Sequence, residues 1–122
     1  MFESEFCKIE YLEKYNAVFC QWKKFCKSDD YKNPLEFGLK LIQDKNATEW
    51  ITDTTNGFES EPEDTKWLLE NFIPKTIDSS CDTIIFIIKN NSPLKKEIDE
   101  QTKALSQYFK VKQTESLDKI NF

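Results

Sequence analysis

Apolar positions along this chain change their period several times, and each change marks an element. Residues 6–11 alternate weakly, and Ala17–Trp22 is apolar or aromatic at nearly every position, with Glu13, Lys14, Tyr15 and Asn16 between the two runs. Two such runs about a short polar connection predict an N-terminal β-hairpin. At period 2, Val18, Cys20 and Trp22 share one face, and Ala17, Phe19 and Gln21 share the other. Both faces are mainly apolar, which places this strand inside a sheet.

The pattern then turns helical. Residues 27–32 are polar and read as a loop, and Asn33-Pro34 reads as a cap followed by the first helical residue. Leu35, Leu39 and Ile42 form a stripe widened by Gly38 and Leu41, ending near Lys45 and Asn46. Trp50, Ile51 and Thr52 make a short strand. A polar loop with an Asn56-Gly57 turn signal follows. Ser60 and Glu63 have the spacing of a capping box. Trp67, Leu68, Phe72, Ile73 and Ile77 supply the next apolar face, which Pro74 is expected to kink or end.

Residues 81–88 form the strongest strand, an unbroken apolar run suited to a central parallel position. Ser92-Pro93 repeats the cap-and-proline start, and Leu94, Ile98, Leu105 and Phe109 fall on one stripe against Lys95, Lys96, Asp99 and Glu100. Residues 110–113 read as a short polar strand and residues 116–122 as the beginning of a last helix. The order is β-β-α-β-α-β-α-β-(α). It predicts one α/β domain over residues 1–122: an N-terminal hairpin, then alternating helices and strands, in a mixed, mostly parallel sheet of five strands. Right-handed crossovers are expected, with helices covering both faces.

Composition changes this picture mainly by exclusion. Of 122 residues, 39% are hydrophobic and 32% charged, which suits a globular domain rather than a disordered chain. All 17 basic residues are Lys and there is no His, so the chain lacks both the bidentate Arg fork and the commonest general base and metal ligand. The net charge of −5 argues against a nucleic-acid partner. With two Gly in the chain, tight turns must draw on Asn, Asp or longer loops. Cys7, Cys20, Cys26 and Cys81 show no C-x-x-C spacing, and no apolar leader precedes them, so the expectation is reduced, mostly buried thiols in a cytoplasmic protein. The run Ile84-Ile85-Phe86-Ile87-Ile88 is far too short to span a bilayer.

The element order resembles the SpoIIAA-like fold shared by STAS domains and by small bacterial proteins of unassigned function. The residues that carry the likeness are Ala17-Val18-Phe19-Cys20-Gln21-Trp22, Trp50-Ile51-Thr52-Asp53, Pro62-Glu63-Asp64 with Trp67-Leu68 and Asn71-Phe72-Ile73-Pro74, and the strand from Ile84 to Ile88. They cover most of the chain and are structural motifs. The resemblance implies a regulatory or scaffold module. In the sporulation antagonists of that fold a Ser-Ser-Gly-type motif opens the helix after the third strand and is phosphorylated. Here residues 53–60 depart from that motif and place the hydroxyls beside Glu59, Glu61, Glu63 and Asp64, so a phosphorylation site is not carried over.

Candidate chemistry is sparse. Asp53, Glu59, Glu61, Glu63 and Asp64 are suited to a hard cation, but acidic residues in a first helical turn are also what the helix dipole favours, and neither a metal nor a cofactor is assigned. A cysteine nucleophile would lack a His base, and there is no Gly-rich phosphate loop. Trp22, Trp50 and Trp67 with the ten Phe either fill the core or line an apolar pocket. The expected function is therefore non-catalytic: a protein-interaction or regulatory module, with a binding domain for a small, apolar, lipid-like ligand as the alternative. A pocket between strands and helices would favour the second reading. In open α/β sheets ligands gather beyond the carboxyl ends of the strands. That rule nominates Asp53, Thr54, Thr55, Glu59 and Ser60 after one strand and Lys89, Asn90 and Asn91 after the next as a partner-binding loop pair. The acidic first loop suits a cationic protein surface, and homodimerisation is left open.

Overall fold

The computed structural model describes residues 1–119. Its sheet has six strands, β1 (Phe2–Glu3), β2 (Cys7–Leu12), β3 (Ala17–Trp22), β4 (Glu49–Asp53), β5 (Thr83–Ile87) and β6 (Lys110–Thr114), and their order in the sheet is their order in the chain. The first three pair antiparallel and the last four parallel. The count exceeds the expected five because Phe2 and Glu3, too short a run to show a period, add an edge strand against Ile9 and Lys8.

The hairpin expected from the sequence is present as β2 and β3. A 3-10 turn at Glu13–Tyr15 joins them and ends at Asn16, whose φ is 50°. The backbone leaves the ordinary φ range only at Asn16, Ser28 and Asn46 among the described residues, and at neither glycine. Asn16 and Asn46 also meet: the Asn16 side-chain amide donates to the Asn46 carbonyl at 3.3 Å, and Tyr11 Oη donates to Asn16 Oδ1 at 2.7 Å. Short polar side chains that bond locally thus take the left-handed positions that a glycine-poor chain cannot give to glycine.

Helix α1 (Asp29–Lys45) begins four residues before the expected Asn33, so Pro34 lies inside it. Proline there removes the bond to the carbonyl of Asp30. The Cys26 thiol supplies a replacement, donating to that carbonyl at 3.5 Å. The helical segment 62–77 comprises α2 (Pro62–Trp67), a π turn (Leu68–Phe72) and α3 (Ile73–Ile77). Pro74 therefore does not end the helix. The wider π turn directly before it moves the backbone away from the carbonyl that the pyrrolidine ring would strike. The capping box is not formed either: Glu61 precedes the first turn without a side-chain cap, and Ser60 Oγ instead bonds Thr65 Oγ1 at 2.7 Å. Helix α4 (Lys95–Leu105) starts two residues beyond Pro93, with Ser92 Oγ accepting from the Leu94 N–H at 3.1 Å. A 3-10 turn at Leu117–Lys119 follows β6. The rest of the helix expected at 116–122 lies outside the described residues.

Among the described residues every α-helix packs on one face of the sheet, which corrects the expectation of helices on both. Because each parallel strand is laid beside its predecessor, right-handed crossovers return the chain on the same side each time. That face supplies Cys7, Ile9, Val18, Cys20, Trp22, Trp50, Ile84 and Phe86, and on it sit Leu35, Leu39 and Ile42 of α1, Phe72 and Ile73, and Ile98 of α4. The opposite face carries a smaller cluster of Ala17, Phe19, Ile51, Ile85 and Ile87, against which Leu12 and, from the two 3-10 turns, Tyr15 and Leu117 pack, with no α-helical residue among them. All four cysteines are buried free thiols. No helix among the described residues is long and apolar enough to cross a membrane.

Candidate functional site

Between the sheet and its helices, toward the carboxyl ends of β3, β4 and β5, the core is incomplete. It leaves a cavity of about 110 Å³ that is partly open to the surface. Trp22, Trp50, Thr52, Ile84 and Phe86 rise from the sheet to form its floor. Tyr31 and Leu35 of α1, Leu68, Phe72 and Ile73 around the π turn, and Ile98 and Leu105 of α4 form its roof. The π turn has a local consequence here, because one extra residue per turn re-aims the side chains that follow it. Leu68 and Phe72 both border the cavity.

The walls are largely aromatic. Trp22 stacks on Tyr31 with ring centroids 5.3 Å apart, and the edge of Phe58 meets Trp22 at 5.5 Å. Trp50 and Phe72 meet edge-on at 5.1 Å. The polar atoms in this lining are mostly committed to fixed partners. Trp50 Nε1 donates to Thr52 Oγ1 at 2.8 Å, and Thr54 Oγ1 donates to the Ile87 carbonyl at 2.7 Å. Burial pushes the Tyr31 phenol up, opposed in part by a hydrogen bond with Ser60.

Glu97 of α4 differs from these groups. It borders the cavity and also a broad surface groove shared with Glu59, Lys66, Lys96 and Glu100. Burial, then the charge of Glu59, holds its carboxyl above the usual carboxylate range, and Glu100 adds to the effect. A long hydrogen bond from Gln101 Nε2, 3.4 Å to Oε1, opposes it. Glu97 thus stands where the apolar chamber meets the surface.

No family model, curated protein or solved structure matches this chain. The site is therefore read from its own geometry.

The loop residues nominated from the sequence divide. Thr54 and Ser60 border the cavity, and Glu59 lies on the outer groove. Asp53 turns away into local bonds: Oδ2 accepts from Gln21 Nε2 at 3.3 Å and Oδ1 from the Thr55 N–H at 2.9 Å. Thr55, Lys89, Asn90 and Asn91 are exposed and border neither cavity nor groove. The acidic cluster does not converge: among the described residues no three potential ligands gather at a cation-sized site. Asp64, drawn into the core, accepts from the Ser28 N–H at 3.0 Å. Of the three tryptophans, Trp22 and Trp50 line the cavity, whereas Trp67 is half-buried beside it with Lys32 over its ring.

Sequence reasoning missed Glu97 and Gln101. A signal existed, since both lie on the flank of the Leu94, Ile98 and Leu105 stripe, one turn apart, rather than opposite it. The contribution of the π turn had no signal beyond Pro74.

Proposed function

We propose that this domain binds a small, largely apolar molecule in the chamber between its sheet and its helices, without transforming it. The observation that carries the reading is the 110 Å³ cavity walled by aromatic rings at the carboxyl ends of parallel strands. Close-packed interiors leave few voids larger than a water molecule, so an apolar opening of this size stands out. An engineered apolar cavity of about 150 Å³ accepts benzene, which sets the scale for this one at a body of about five or six carbon atoms. The position at strand carboxyl ends is where open α/β sheets commonly hold ligands. The SpoIIAA-like resemblance is compatible with the strand and helix order and is likewise proposed. The protein-interaction reading rests on that resemblance and on the exposed Thr55, Glu59, Lys89, Asn90 and Asn91.

The test is ligand-induced stabilisation with cyclopentanol and benzyl alcohol, followed by melting temperature and by the emission of Trp22 and Trp50. Binding to the folded state alone raises stability by RT ln(1 + [L]/Kd). The melting temperature should rise with ligand concentration. Leu68→Phe, which extends a ring into the chamber, should weaken binding at least about tenfold, a loss of about 1.4 kcal/mol. If neither alcohol shifts the melting curve or the emission, the reading fails.

A further inference from the structure

The electrostatics of the chamber restrict what it takes, and this step rests on the binding reading above. We propose that its ligand is a small organic monocation, an alkyl or cycloalkyl ammonium whose apolar body fills the chamber and whose charged head stops at Glu97.

Four observations converge on that chemistry. Among the described residues Glu97 is the one formally charged residue that borders the chamber, and no Lys does. An anionic ligand would find no counter-charge inside and would meet Glu59, Glu97 and Glu100 at the entrance. Glu97 also lacks a cation of its own. None of the ion pairs made by Lys8, Lys23, Lys24, Lys40 and Lys95 involves Glu97. Lys66 and Lys96 line the outer groove but form no ion pair with it.

The carboxylate is half-buried at the rim of an apolar space, with Gln101 its one hydrogen-bond donor, at 3.4 Å. A partly desolvated carboxylate without a cation is costly, and an ammonium arriving from the chamber side would relieve that cost. Finally, the acidic rim and the chain's net charge of −5 raise the local concentration of cations at the entrance.

A matched series isolates the head group: cyclopentylammonium, cyclopentanol and cyclopentanecarboxylate share one body and differ in charge. Titrations are followed by calorimetry and Trp emission at mildly alkaline pH, where the amine is protonated and Glu97 ionised. The ammonium should bind at least about tenfold tighter than the alcohol, and the carboxylate should bind weakest. Glu97→Gln should remove the preference for the ammonium, so that it binds no tighter than cyclopentanol does to the same variant. Glu97→Asp, which keeps the charge but withdraws it by one methylene, should retain part of the preference. Glu100→Gln should retain most of it. Melting curves establish that each variant is folded.

If the alcohol or the carboxylate binds as tightly as the ammonium, the cation proposal is wrong and the pocket reading stands. The same holds if Glu100→Gln abolishes the preference as fully as Glu97→Gln, because the cause would then be the diffuse acidic field. If no member of the series binds, both readings fall together.

Discussion

Trp50 lies directly against the backbone of Gly38: a Cβ placed on that glycine would stand 2.4 Å from Cη2 of the indole. The glycine lets α1 settle onto the sheet at the point where the largest side chain of β4 rises from it. Gly38→Ala therefore sets two effects in opposition. Helix propensity favours alanine by about 1 kcal/mol. Overpacking a filled core costs about 1–3 kcal/mol, and a contact this short belongs at the upper end. A net loss of about 2 kcal/mol is expected by denaturant titration. An unchanged or raised midpoint would show that α1 moves aside freely.

The tryptophans should separate by burial. Trp50 is 4% exposed and lies over the cavity, so Trp50→Ala should cost about 3–5 kcal/mol. Trp67 is half-buried, with Lys32 Nζ 5.8 Å from its ring centroid, and Trp67→Ala should cost less than half as much. Equal losses would place Trp67 in the core.

Ser28 holds φ 56° and ψ −129° just before α1, a conformation that favours glycine. Its N–H donates to Asp64 Oδ2 at 3.0 Å, tying the start of α1 to α2. Ser28→Gly keeps that N–H and relieves the strain, and a gain of up to about 1 kcal/mol is expected. Asp64→Ala removes the charged acceptor of this partly buried hydrogen bond and should cost about 1–3 kcal/mol. A loss with Ser28→Gly would mean that the serine side chain stabilises the turn.

Glu49 begins β4 with its Oε2 buried and without a hydrogen-bond partner. Burial raises its carboxyl to about 7; Lys112 opposes this and Asp82 adds to it. The folded state then binds a proton that the unfolded state has released, so this group's contribution to stability falls as pH rises from about 4.5 to about 7. Glu49→Gln removes that dependence. The variant should melt higher than wild type above neutrality, and the two should converge below the ordinary carboxylate range. A gap that stays constant across the titration would show that Glu49 ionises normally.

Much of this architecture is legible in the sequence where the period is long and strong. β3 and β5 stand where their apolar runs lie, because burial fixes such segments, and the polar, largely unburied β6 starts at the expected Lys110. The errors have local causes. Asn33-Pro34 has the form of a helix start, yet the thiol of Cys26 satisfies the freed carbonyl, and α1 extends back to Asp29. No local signal reports that bond. The face on which helices lie depends on strand order, which no single segment encodes. The cavity was foreseen as one of two outcomes for the aromatic residues. Its charged rim was not: the place of Glu97 on the flank of the α4 stripe hints at partial burial, but what that flank faces is set only when α4 docks beside the cavity.

Because strand order follows chain order, no strand waits for a partner made later. Ala17 pairs with Glu49, Glu49 with Thr83 and Thr83 with Lys110, so each closure spans one helix and its loops, and none joins the two ends of the chain. Such closures carry a modest entropic cost, which grows slowly with loop length. A chain leaving the ribosome could therefore add each strand to an edge already formed, the N-terminal hairpin serving as the template for everything after it. The chamber would be completed late, since its roof is not in place until α4 has docked, with β6 alone still to join the sheet among the described strands.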